Sequence, residues 1–128
     1  MADPEPTTER SPVEQLTIAL LLSAVRKEAT SFTVVAEEDG SAQVGYSCHV
    51  WFEIGGDWVR EMEPPANMHG PIVRTLLGYT GLEPVKQGEV RGRFVMALGD
   101  GRKVTYQMTG TFSKARAPMA AVVLVGYE

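Results

Sequence analysis

The chain has 128 residues, 44% of them hydrophobic, with one cysteine and a formal net charge of −4. That length suits a single domain, and the acidic balance offers no basic field of the kind that draws nucleic acid. One cysteine excludes an internal disulfide and a cysteine-rich zinc site, and the apolar run Ile18 to Val25 is too short to span a bilayer.

Met1 to Arg10 is polar, carries two prolines and has no apolar period, so it is expected to be a disordered tail before a domain over 11–128. The apolar run lies behind this acidic start, unlike a signal peptide, which makes the expected compartment cytoplasmic. Ser11-Pro12-Val13-Glu14 is a helix start: an N-cap serine, a proline at the first helical position and a glutamate placed to close a capping box. The helix is predicted to run to about Lys27. Its apolar face, which includes Leu20 and Val25, is wider than a lone surface helix needs. It either covers a sheet or docks a partner.

Phe32, Val34 and Ala36 begin a strand that turns at Glu37-Glu38-Asp39-Gly40. Val44, Tyr46, Cys48, Val50, Phe52 and Ile54 then alternate with Gln43, Ser47, His49, Trp51 and Glu53, the period of a strand. Gly55-Gly56-Asp57 turns again and Trp58 to Met62 returns, completing a first meander. Pro64-Pro65 stops it. A helix follows, with Pro71 to Leu77 as its safe span, because Gly70-Pro71 is expected to break anything begun at Ala66. Ile72, Val73, Leu76 and Leu77 are its buried face, and Gly78 or Gly81 ends it.

The last third holds a second meander. Val90, Phe94, Met96 and Leu98 share one face, with Gly92 between them, and Arg91, Arg93, Val95 and Ala97 the other. Gly99-Asp100-Gly101 supplies a hairpin turn. Val104, Tyr106, Met108 and Phe112 alternate with threonines and Gln107. Met119 to Tyr127 is apolar on both faces, which predicts a strand with neighbours on both sides and cover above and below. The fold class is therefore α+β: an antiparallel sheet of two three-stranded meanders with two flanking helices.

Motifs of chemistry are scarce. No phosphate-binding loop of the Walker type is present. Cys48 and His49 are adjacent, so on a strand they face opposite sides and cannot act as nucleophile and base. His49 and His69 are the only histidines and neither has a ligand-spaced partner, so no metal and no cofactor is expected. Glu37, Glu38 and Asp39 read as a solvated turn. Trp51, between His49 and Glu53, either lies beneath the first helix or is an aromatic contact for a partner. Arg91, Arg93, Arg102, Lys103, Lys114 and Arg116 gather positive charge late in the chain, as a basic patch or as an ordinary solvated face. For an enzyme, only Arg91, Arg93 and Glu53 offer themselves, and they form no recognisable set.

Several segments together carry a resemblance. Ala29-Thr30-Ser31-Phe32-Thr33-Val34 is followed by Val44-Gly45-Tyr46-Ser47-Cys48, then by Pro64-Pro65 and Leu76-Leu77-Gly78-Tyr79-Thr80-Gly81-Leu82. Lys86-Gln87-Gly88-Glu89-Val90, Gly92-Arg93-Phe94, Val104 to Thr109 and Ala121 to Val125 complete the series. Over roughly 29–128 this resembles the second N-terminal (N2) domain of the ATPases that drive type II secretion and type IV pilus assembly. The family's acid and histidine in the first segment fall here on Ser31 and Thr33, and its strand arginines, which help close over nucleotide on the ATPase domain, fall on Gly45, Ser47 and Gln107. Small neutral side chains cannot hold phosphate charge. The resemblance thus implies a scaffold without the chemistry: a non-catalytic, cytoplasmic protein-interaction or adaptor domain, with a secretion or pilus motor component as its protein partner. A second copy of the chain is a further candidate partner. The contact residues expected are Leu20, Val25, His49, Trp51, Arg91 and Arg93. The alternative is a small-molecule sensor, its pocket lined by Tyr46, Phe94, Met96, Met108 and Phe112.

Overall fold

A computed structural model describes residues 11–38, 40 and 45–127. The expected tail Met1–Arg10 and the positions Asp39, Gln43 and Val44 lie outside the described residues. Helix α1 spans Pro12–Arg26 and begins where the capping box is. Ser11 Oγ accepts from the Glu14 backbone N–H at 3.2 Å, and the Glu14 carboxylate reaches back to the Ser11 N–H. Thr17, Leu20, Leu21 and Ala24 are its buried stripe, the i, i+3, i+4, i+7 spacing that faces one neighbour.

Strands β1 (Ser31–Glu38), β2 (Tyr46–Ile54) and β3 (Asp57–Met62) follow, then helix α2 (His69–Tyr79) and strands β4 (Gly88–Ala97), β5 (Lys103–Phe112) and β6 (Met119–Tyr127). They form one six-stranded antiparallel sheet in the order β3-β2-β1-β6-β5-β4. The central pair joins the two halves of the sequence: Ser31 pairs with Val123 and Val34 with Ala120. The α+β class and the antiparallel sheet with two helices are as expected. Among the described residues no helix is long and apolar enough to cross a membrane.

Helix α2 is longer than its predicted span. A 3-10 turn over Ala66–Met68 leads into it, and Gly70-Pro71 sits inside its first turn instead of breaking it. The first N–H groups of a helix have no intrahelical acceptor, so a proline there forfeits nothing. Ile72, Val73, Leu76 and Leu77 are buried as expected, and so is His69.

Both helices lie on one face of the sheet. The Tyr106 hydroxyl on β5 donates to the Leu21 carbonyl of α1 at 3.1 Å. Aromatic rings run across this covered face, Phe52 to Phe32 at 5.9 Å, Phe32 to Tyr106 at 6.5 Å and Tyr106 to Phe94 at 5.4 Å between centroids. The loop after α2 closes over β4 at Gly92, where an added Cβ would lie 2.8 Å from Thr80 Cβ. The expectation of cover on both sides of β6 is therefore corrected. Its Ala120 and Val122 are buried, whereas Met119 and Val123 on the other face are 43% and 49% exposed. The sequence pattern gives two apolar faces; the helices, held to each other, take only one.

Candidate functional site

The face opposite the helices is built by strand alternation alone. Register sets two rows of side chains across all six strands. One reads Trp58, Glu53, Ser31, Val123, Gln107, Arg93 and the next Arg60, Trp51, Thr33, Ala121, Thr109, Arg91. Its centre is small and aliphatic, on β1 and β6. Its two ends carry the charge.

At the β2–β3 end a polar network surrounds His49, which is 5% exposed. Arg60 Nη1 lies 3.2 Å from His49 Nδ1, and Ser47 Oγ lies 2.8 Å from Nε2. A guanidinium can only donate, so Nδ1 accepts and the imidazole proton sits on Nε2, donated to Ser47. Glu63 Oε1 is 3.8 Å from Nδ1. Serine, histidine and carboxylate thus stand in the order of a hydrolase triad, but the proton is on the nitrogen that would have to receive one from Ser47. The indole N–H of Trp51 donates to Glu37 at 3.3 Å, and the Arg60 guanidinium stacks 5.4 Å from the Trp51 ring centroid. Glu53 accepts from Ser31 Oγ at 2.8 Å.

At the β4–β5 end Arg91 donates to Glu89 at 3.2 Å and Arg93 to Gln107 at 3.4 Å. Lys103 pairs with Ala97 and shares their face. Four of the six expected contact residues, His49, Trp51, Arg91 and Arg93, therefore stand on this one face, with Trp51 clear of the helices. Leu20 does not. At 1% exposure it belongs to the core, and Val25 is half-buried against that core, because α1 turns its apolar stripe onto the sheet.

The covered side holds a pairing that sequence reasoning missed. Cys48 and His69 are both fully buried. His69 Nε2 donates to the carbonyl of Pro118, which leaves Nδ1 to accept from the Cys48 thiol, 3.2 Å away. Burial, with Glu63 adding to it, pushes the Cys48 thiol up to about 11. Burial also holds the His69 imidazole below its ordinary range, against the opposing pull of Pro118. Both groups are neutral, so this is a hydrogen bond between uncharged partners and not a thiolate–imidazolium pair.

No protein-family model matches the chain, and no curated protein matches it.

Two clefts bear on a ligand-binding reading. One of about 480 Å³ is bounded by Ile18 and Leu22 of α1, Tyr79, Phe94 and Met96. The other, about 420 Å³, includes Tyr46 and Arg116. The residues suggested for a sensor pocket are thus divided: Phe94 and Met96 line the first cleft, Tyr46 the second, while Met108 and Phe112 are in the core. Among the described residues, no three His, Cys, Asp or Glu side chains gather where they could hold a metal ion.

Proposed function

We propose that this chain is a non-catalytic protein-docking or adaptor domain whose contact surface is the bare face of its sheet. The observation that carries the reading is the second apolar face of β6. A central strand that leaves Val123 49% exposed, with Trp51 two strands away on one side and Arg91 and Arg93 two strands away on the other, has the composition of a contact surface with an apolar middle and a polar rim. The resemblance to the N2 domain of secretion and pilus motor ATPases directs the search for a partner to components of such motors. A photo-crosslinking residue placed at Val123 should give discrete protein adducts in the source cell. The same residue at Ala19, exposed on α1, should give none. Equal labelling from both sites, or none from Val123, refutes the reading.

The apolar cleft beside α1 supports a second reading, a small-molecule sensor. Its walls are aliphatic and aromatic, the usual character of a ligand pocket. A ligand for it should raise the melting temperature by several degrees at modest excess, and Met96→Trp, which fills the cleft, should abolish that shift.

A further inference from the structure

We infer that the bare sheet face packs against its own copy, forming a two-fold dimer whose axis runs parallel to the strands. This rests on the docking reading above and names the partner as a second copy of the chain.

Charge divides the face. Its β1–β3 half carries the carboxylates Glu37, Glu53 and Glu63 against the single guanidinium of Arg60. Its β4–β5 half carries Arg91, Arg93 and Lys103 against Glu89. Between them lies the uncharged strip formed by Thr33 and Val35 on β1 and by Met119, Ala121 and Val123 on β6.

Charge separates three of the symmetric contacts open to such a sheet, one at the β4 edge and two between faces. Pairing β4 edge to edge, centred on Gly92, sets Arg91 of each copy against Arg93 of the other. Like charges directly opposite one another disfavour this. Stacking the faces about an axis across the strands lays each half on its own copy, cations over cations. Stacking them about an axis along the strands lays the acidic half on the basic half, twice, with the uncharged strips meeting in the middle. An isologous contact needs this self-complementarity. Area agrees: six strands about 4.8 Å apart, each showing some eight residues at about 3.3 Å, present roughly 700 Å². A standard interface takes about 800 Å² from each partner.

The test is sedimentation equilibrium of the purified chain. At concentrations on the order of 100 µM and about 0.05 M salt, the mass should approach twice the 13.9 kDa of one chain. About 0.5 M salt should weaken the association several-fold. R91E/R93E makes both halves acidic and E37K/E63K makes both basic. Each variant alone should associate at least about tenfold more weakly, and an equimolar mixture should recover the dimer. The four residues are exposed, and circular dichroism checks that the variants fold. A chain that stays monomeric, a dimer indifferent to both reversals, or a mixture that shows no recovery overturns the inference. If the chain is monomeric while Val123 still crosslinks to a different protein, the inference falls and the docking reading stands. If neither is seen, both fall.

Discussion

The sulfur of Cys48 lies 3.2 Å from Nδ1 of His69, in a site closed to solvent where the far side of the ring is held by the Pro118 carbonyl. The two residues come from a strand and a helix start that sequence separates by two turns and a proline pair. Their contact pins α2 to β2.

Desolvation in this closed site makes the thiol inert. With its pKa pushed up to about 11, the thiolate population at pH 8 is far below that of a free cysteine, and burial denies access as well. A thiol reagent at pH 8 should modify the folded chain at least about a hundredfold more slowly than the chain in denaturant. Labelling at the rate of a free cysteine would show that the site opens.

The same burial makes stability depend on pH. His69 is held below its ordinary 6.5 when folded, so between the two values the unfolded chain binds more protons. Stability is then full above about 6.5 and is lost as pH falls below it, by at most about 1.4 kcal/mol per pH unit. Urea unfolding of the wild type from pH 7.5 to 5.5 should show this decline, and His69→Gln should remove the part due to His69. The variant should also be less stable at pH 7.5 by about 1–3 kcal/mol, since Pro118 and Cys48 lose their partner. Parallel pH curves for the two proteins would refute the assignment.

Gly92 is small because Thr80 and Leu82 pass over it. A methyl group there would meet Thr80 Cβ at 2.8 Å and Leu82 Cδ1 at 2.9 Å. Gly92→Ala should cost about 1–3 kcal/mol, read as a lower urea midpoint with an unchanged slope. Gly99, which has nothing within 4 Å of an added Cβ, is the control, and Gly99→Ala should change stability little.

Tyr106 ties the sheet to α1 through its hydroxyl, 3.1 Å from the Leu21 carbonyl. Tyr106→Phe keeps the ring contacts and removes only that bond. A loss of about 1 kcal/mol is expected, whereas Leu20→Ala in the same layer should cost about 2–5 kcal/mol. Comparable losses from the two would mean that the hydroxyl matters more than its single bond accounts for.

Local signals in the sequence were good guides to local structure. Ser11-Pro12-Val13-Glu14 marks the start of α1 because a cap is chemistry among near neighbours, and the alternation in 104–112 marks β5 and its buried face. Partnerships between distant residues were not legible. Nothing near Cys48 points to His69, and the adjacent His49 drew attention to the wrong imidazole. Leu20 and Val25 read alike as apolar helix positions, but only the packing of α1 shows that the first is core. For the site, Trp51, His49 and the paired arginines could be placed on outward faces by counting. The side on which the helices settle could not, since that is decided between elements, and it determines whether Val123 is core or surface.

The pairing of Ser31 with Val123 also sets the order of assembly during synthesis. Each half can make its own hairpins early, but the strand that joins them, Met119–Tyr127, lies late in the chain, and closing so distant a contact is slow. Until those residues leave the ribosome, β1 has only one neighbour and the helices have only part of their platform. A nascent chain stalled before β6 has emerged would therefore display its greasy helices to chaperones, and the arrival of β6 would complete the sheet.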